Sequence, residues 1–309
     1  MSTARINRRV IDGAAGSDRA EIVAVGGRDG AHTQAYARQN GIERAHASYD
    51  ALLDDPEVDA VYISLPNSLH VEWSIRALEA GKHVLCEKPF SQHPEEVEEA
   101  FDVAERRGLV LSEAFMWRHH PQTRALLRLA GEGAVGPVRV IRAQFSFLLE
   151  SAGDIRLDPE LEGGALMDVG CYCVSAIRAI AGEPLSLAGE ESLGPSGVDV
   201  VFTGTARCPD DVLAHFDCGF AMPDRTGIEV VGEDGVIVVP SPWHPDEPRI
   251  ELHRGGGVER IEVPPADSYR LELENVADAI SGASPLLLGR ADAVGQARAI
   301  EALYRSAGS

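Results

Sequence analysis

From Glu21 to Phe115 short apolar runs alternate with amphipathic helical stretches, and this alternation restricts the fold more than any other feature. Strand patterns fall at Glu21–Gly26, Val58–Leu65, Val84–Cys86 and Leu109–Phe115. Helical patterns fall between them at Ala31–Asn40, Tyr49–Leu53, Ser68–Ala80 and Pro94–Arg107, with Gly41, Gly81 and Gly108 as stops. A strand followed by a helix and another strand closes only as a right-handed crossover, so the segment predicts a parallel, doubly wound sheet with helices on both faces. The chain begins on a helix, Ser2–Ala15, with Ile6, Val10, Ile11 and Ala14 at helical spacing.

From Trp117 the pattern changes. A helix at Pro121–Gly131 leads into strand-like runs at Val138–Leu149, Val198–Ala206, Val212–Phe220, Gly227–Val231, Val236–Val239, Arg249–Leu252 and Glu259–Val263. Turn signals such as Gly194-Pro195-Ser196-Gly197 and Glu233-Asp234-Gly235 separate many of them. The expectation is one open, mostly antiparallel sheet, with one helix at Ala165–Ala181 and two closing helices at Ser268–Ile280 and Ala291–Ser306. The fold class is therefore α/β, a Rossmann-like doubly wound sheet followed by an α+β domain. The boundaries expected are 1–117 and 118–309, the closing helices packing back on the first domain.

A length of 309 residues with 44% hydrophobic content suits two globular cores. A formal charge of −21 argues against nucleic-acid backbones and anionic membranes as partners. No run approaches the roughly 18 apolar residues of a membrane span, and the polar start has no signal-peptide core, so a cytoplasmic protein is expected. Cys86, Cys171, Cys173, Cys208 and Cys218 have an odd count and irregular spacing, as suits reduced core thiols rather than disulfides or a metal site.

One turn stands apart. Only two lysines, Lys82 and Lys88, occur among 28 basic residues, and Lys88 follows the buried run Val84–Cys86 in Glu87-Lys88-Pro89. Arginine stays protonated, whereas a lysine at the apolar end of a sheet can be tuned to donate or accept a proton. The alternative is an ordinary surface lysine. Asp168 and Tyr172, four apart in the helix that opens Gly163-Gly164-Ala165, share one helical face. Structural roles are also open to them, Tyr172 as half-buried core and Asp168 as a helix-dipole partner.

Glu87-Lys88-Pro89 after a strand, preceded by Ala80-Gly81-Lys82-His83-Val84, resembles the signature of the Gfo/Idh/MocA oxidoreductases, and the resemblance runs nearly the length of the chain. It is nearest to the branch of NADP-dependent D-xylose dehydrogenases and dihydrodiol dehydrogenases, where tyrosine stands at the position of Tyr172 and many other members have histidine. The resemblance implies hydride transfer between a nicotinamide cofactor and a sugar, polyol or cyclic diol hydroxyl. It makes Tyr172 the acid/base, Lys88 its electrostatic partner and Asp168 the group that orients substrate hydroxyls. It places the dinucleotide on the turn Leu65–His70, where Pro66, Asn67 and His70 become cofactor contacts, with a surface role equally open to His70. It adds Lys88 as a contact to the substrate hydroxyl or the nicotinamide ribose, Glu87 as a contact to the ribose or a brace of the turn, and Lys88-Pro89 as a candidate cis peptide. It brings Trp117 and Arg118 to the cleft, with interdomain packing as their alternative. His119 and His120 are adjacent and make a poor chelate, and no metal is expected.

Arg28 follows the second strand of the usual order, where an arginine accepts a 2′-phosphate, so NADP is favoured over NAD, with Asp29 beside it as the counter-argument. The front of the dinucleotide fold is missing: no strand and no G-x-G-x-x-G turn precede the first helix. Similar proteins read strand, then a turn ending Ser-Thr-Ala-Arg-Ile, which is how this chain opens, so Ser2, Thr3 and Ala4 become cofactor contacts at a turn entered part-way. Two unpaired inner sheet edges are expected, each orphaned buried group costing about 1–3 kcal/mol against a net stability of about 5–15 kcal/mol. A form extended upstream is expected to have a higher urea midpoint. Partners expected are a small sugar or polyol substrate and further copies of the chain in a dimer or tetramer. NAD-dependent glycoside hydrolysis by transient oxidation and a cofactor-free relic are the alternative functions.

Overall fold

The computed structural model describes residues 1–151 and 153–308, so the expected second-domain end at 309 lies outside the described residues. In chain order the elements are α1 (Asn7–Ala15), β1 (Ala24–Gly26), α2 (Gly30–Asn40), β2 (Arg44–His46), α3 (Tyr49–Leu53), β3 (Ala60–Ile63), α4 (His70–Glu79), β4 (His83–Glu87), α5 (Pro94–Arg107) and β5 (Leu111–Ala114). There follow α6 (Pro121–Gly131), β6 (Val138–Leu148), a π-helical turn (Leu166–Gly170) and α7 (Cys171–Ala181). The chain continues with β7 (Ser186–Leu193), β8 (Asp199–Arg207), β9 (Leu213–Gly219), β10 (Ala221–Gly232), β11 (Gly235–Val239), β12 (Arg249–Arg254) and β13 (Gly257–Glu262). It closes with α8 (Ser268–Ser281) and α9 (Arg290–Ala307).

The described chain divides into two compact units, Met1–Met116 with Asp267–Val294 and Trp117–Ala266 with Gly295–Ser309. The first boundary lies one residue before the expected one. Of the closing helices, α8 is part of the first unit, and α9 begins in the first unit and ends in the second.

In the first unit the strands are parallel, with Val84, Cys86 and Ile63 at 0% exposure because helices cover both faces. The sheet is in two pieces, β1-β2 and β3-β4-β5. The facing edges of β1 and β3 are the two inner edges expected from the sequence, but they are not wholly unpaired. The Met1 amine donates to the Tyr62 carbonyl, the Ser64 amide to Met1 O at 3.5 Å, and the Ser2 amide to Gly26 O at 2.9 Å. Met1 and Ser2 thus make the bonds of a parallel strand at the carboxyl ends of β1 and β3. Behind them lies an open groove lined by Ile22, Val25, Val58, Val61 and Tyr62 among others. The commitment of Ser2 to this pairing is why α1 starts at Asn7 and not at Ser2. Lys82, the second lysine, is buried and donates to the carbonyls of Asp55 (2.8 Å) and Val58 (2.7 Å).

The second unit carries one eight-stranded sheet in the order β13-β12-β11-β10-β6-β9-β8-β7. Only β6 and β9 run parallel, so the expected mostly antiparallel sheet is found. β7 was not expected, because an edge strand with polar residues on its open face shows little apolar periodicity. Pro159–Ala181 is long and apolar enough to cross a membrane by length and mean composition, although Asp168 and Arg178 interrupt it and it holds no unbroken run of 18 apolar residues. Its most apolar window is 78% buried among the other elements, as befits a core helix. All five cysteines are buried free thiols.

Candidate active site

In the first unit the candidate residues gather at the carboxyl ends of parallel strands, where an open α/β sheet binds its ligands. Ser2–Ala4 lead into α1, Arg28 follows β1, Pro66 and Asn67 follow β3, and Glu87 and Lys88 end β4. Of the amides that open α1, those of Asn7, Arg8 and Arg9 donate to the carbonyls of Ala4, Arg5 and Ile6 at 3.2, 3.2 and 2.9 Å. Arg28 is exposed. Its neighbour Asp29 caps α2 by accepting the His32 amide at 3.0 Å, which commits the carboxylate that argued against a 2′-phosphate.

The Glu87-Lys88-Pro89-Phe90 turn is held from several sides. The Tyr62 hydroxyl donates to Glu87 Oε1, and Glu87 Oε2 accepts the Lys88 amide at 3.2 Å. The Phe90 amide donates to Glu113 Oε1 at 2.8 Å. The Lys88-Pro89 bond is cis, and Lys88 itself is half-buried. Burial holds the Tyr62 phenol well above its usual range, and the Glu87 carboxylate adds to this, so the hydroxyl remains a donor.

His70 departs from both of its expected roles. It is 1% exposed, and its Nδ1 and Nε2 each lie 2.8 Å from a carbonyl oxygen, of Pro89 and Leu65. The ring braces the β3 turn against the Lys88 turn and presents neither nitrogen to a cofactor. Burial lowers its pKa to about 4 although both carbonyls act in the opposite direction.

In the second unit Asp168 lies in the π-helical turn and Tyr172 in the first turn of α7. A continuous α-helix was expected there; the π turn adds a residue to the ring of the helix and is a feature common at functional sites. Tyr172 is 5% exposed and packs among aromatic rings, with centroids of Phe145 at 5.4 Å, Trp243 at 5.6 Å and His244 at 6.3 Å. Trp243 is fixed by its indole N–H, which donates to Gln144 O at 3.0 Å. Trp117, expected at the cleft, is 0% exposed and meets Trp243 edge-on at 5.2 Å. A cofactor contact by this side chain is thereby corrected to a core role: a fully buried indole has no free face. The Arg118 guanidinium carbon lies 5.8 Å from the Trp117 ring, and its Nη1 lies 3.4 Å from Ser175 Oγ. His119 and His120 are buried at 2% and 0% exposure, and burial lowers the pKa of His119 to about 3.

Sequence reasoning missed Tyr62, Phe145, Arg156, Trp243 and His244. Trp243 had a signal, as one of only three tryptophans, set in the rigid run Ser241-Pro242-Trp243-His244-Pro245. Arg156 had none, since its meeting with Asp168 at 2.6 Å spans a loop.

Comparison with known proteins adds the following. Residues 3–115 match the family model described as the Gfo/Idh/MocA oxidoreductase family, NAD-binding Rossmann fold, and residues 123–238 match the Gfo/Idh/MocA C-terminal domain. The chain is 37% identical, over 99% of its length and 96% of the relative, to a D-xylose 1-dehydrogenase (NADP(+)) of Haloferax volcanii. It is 32% identical over 73% of its length, and 68% of the relative, to a trans-1,2-dihydrobenzene-1,2-diol dehydrogenase of Danio rerio. Among solved structures it superposes with a TM-score of 0.93 on a 3-ketoreductase from Actinomadura kijaniata in complex with NADP and TDP-benzene. That match has 30% identity and covers 99% of this chain and 95% of the other. Solved variants of the same reductase replace a tyrosine (TM-score 0.92) and a lysine (TM-score 0.89) that stand 84 positions apart, the separation of Lys88 and Tyr172 here. With both halves matched and relatives above 30% identity along nearly its whole length, the chain belongs to the Gfo/Idh/MocA family of oxidoreductases.

Proposed function

We propose that the chain is an NADP-dependent dehydrogenase of a sugar, polyol or cyclic diol hydroxyl. The observation that carries this reading is the Lys88 turn, held by Tyr62, His70 and Glu113 at the carboxyl end of a parallel strand. Such bracing fixes an ammonium-bearing residue at the end of the sheet where dinucleotides bind. The matching lysine-to-tyrosine separation in the 3-ketoreductase supports giving Lys88 and Tyr172 the chemical roles. The names of the relatives, an NADP-dependent D-xylose dehydrogenase and a dihydrodiol dehydrogenase, support the substrate class and the cofactor. Each of them is named as a dehydrogenase or reductase, which gives no support to glycoside hydrolysis or to a relic.

NADP, when bound, supplies the hydride acceptor. Ser2, Thr3 and Ala4 suit its pyrophosphate, Arg28 its 2′-phosphate, and Asn67 and Glu87 its riboses. Tyr172 takes the proton of the substrate hydroxyl as the carbinol carbon gives up its hydride, so the alcohol becomes a carbonyl and one proton is released. Lys88 favours the phenolate by its charge, since an unperturbed tyrosine titrates near 10. Asp168 accepts from a neighbouring hydroxyl and orients the carbon. Water is kept from Tyr172 by Phe145, Trp243 and His244.

The test is NADPH formation with D-xylose and other aldoses for the parent chain, Lys88→Met and Tyr172→Phe. Loss of general acid/base catalysis lowers kcat by about 10²–10⁴-fold. A folded Lys88→Met variant with full turnover sinks the assignment. Assembly through the eight-stranded sheet belongs to the same proposal, and light scattering showing a monomer at working concentration removes it.

A further inference from the structure

Arg156 stands between two carboxylates. Its Nε donates to Asp168 Oδ2 at 2.6 Å and its Nη1 to Asp154 Oδ1 at 3.1 Å. The side chains of Asp168 and Asp154 are 18% and 12% exposed, and that of Arg156 is 35% exposed. The loop that bears Arg156 is tied to the helix that bears Asp168. The Gly164 amide donates to Arg156 O at 2.9 Å, and a Cβ at Gly163 would lie 2.4 Å from that same oxygen. The guanidinium is held above its usual pKa: burial opposes this, but Asp168 and Asp154 outweigh it, so the charge is permanent. Two carboxylates against one guanidinium leave the cluster at −1. The loop from 149 to 164 holds Glu150, Asp154, Asp158, Glu160 and Glu162 against Arg156 alone, a net of −4 from five acids and one base.

We propose that Arg156 determines substrate specificity by reading, together with Asp168, one vicinal diol of an uncharged sugar. One hydroxyl donates to Asp168, and the adjacent oxygen accepts from the outer N–H groups of the Arg156 fork. The acidic loop repels sugars that carry a carboxylate or phosphate, because like charges at a partly buried site are weakly screened. The substrate class is thus a neutral aldose or polyol. This rests on the dehydrogenase reading only in taking Asp168 as the sugar contact.

The experiment separates binding from turnover. Saturation-transfer NMR at low salt measures D-glucose, D-gluconate and D-glucose 6-phosphate against the parent chain, Arg156→Lys and Asp154→Asn, each first checked for its melting temperature. The expected result is glucose binding to the parent chain with both anions at least about tenfold weaker, a gap equal to one step of 1.4 kcal/mol. Arg156→Lys keeps the charge but loses the planar fork, and weakens glucose about tenfold. Asp154→Asn removes one negative charge and narrows the gap between glucose and its 6-phosphate. Anions that bind the parent chain as well as glucose overturn the proposal, as does Arg156→Lys with parental affinity or a chain that binds none of the three. Glucose binding with the expected pattern but no NADPH formation supports this inference and defeats the dehydrogenase reading instead.

Discussion

The Met1 amine gives a quantitative test of the sheet that lies in two pieces. It is buried beside the groove between β1 and β3 in a residue 7% exposed, donates to the Tyr62 carbonyl, and has its pKa lowered by burial from 8.0 to about 5. The folded chain therefore holds this amine neutral over a range where the unfolded chain protonates it. Between pH 5 and pH 8 the unfolded state binds the extra proton, so stability rises with pH across that window. Three pKa steps at about 1.4 kcal/mol each make the deficit about 4 kcal/mol below pH 5, about 3 kcal/mol at pH 6 and close to zero at pH 9. Acetylating the amine removes the proton-binding site, keeps an N–H for the Tyr62 carbonyl, and directs an apolar methyl into a groove lined by Val25 and Val61. Urea unfolding, on chains shown by intact mass to retain Met1, is expected to give the acetylated form an advantage of about 3 kcal/mol at pH 6 and little at pH 9. An equal advantage at both pH values, or none at pH 6, means that the amine is hydrated and charged in the folded chain, and the reasoning fails.

Other expectations follow from buried polar groups. Glu272 is 2% exposed, and burial first and the Glu87 carboxylate second raise its pKa well above the usual value. The folded chain keeps it protonated while the unfolded chain releases the proton, so stability falls as pH rises above 4.5. Glu272→Gln is expected to flatten that fall in a series of melting temperatures from pH 5 to pH 8, and an unchanged slope refutes the assignment. Gly164 has φ 126°, and a Cβ there would lie 2.2 Å from Asp199 Oδ1. Asp199 accepts the Leu166 amide at 2.7 Å and the Tyr304 hydroxyl at 3.0 Å, so Gly164→Ala is expected to lower stability by about 3 kcal/mol or more. A urea midpoint within error of the parent chain contradicts that expectation.

The residues that the sequence located well are those whose structure is set by near neighbours. α3, α5 and α6 occupy the expected Tyr49–Leu53, Pro94–Arg107 and Pro121–Gly131, because Ser48 caps one, Pro94 and Gly108 bound another, and His120 with Pro121 opens the third. The Lys88 turn was likewise legible, since it lies within one short segment, whereas the helix that bears Asp168 and Tyr172 was expected as continuous α and opens in a π turn. Tertiary structure decided what depends on distant partners. β2 and β7 are strands because neighbouring backbones complete their hydrogen bonds, not because their side chains alternate. Whether His70 faces solvent or braces two turns depends on the Pro89 carbonyl 19 positions away, and the aromatic wall of Tyr172 depends on Trp243, 71 positions on. Local propensity is written in a few consecutive residues, whereas burial and pairing are properties of groups that only the folded chain brings within reach of each other.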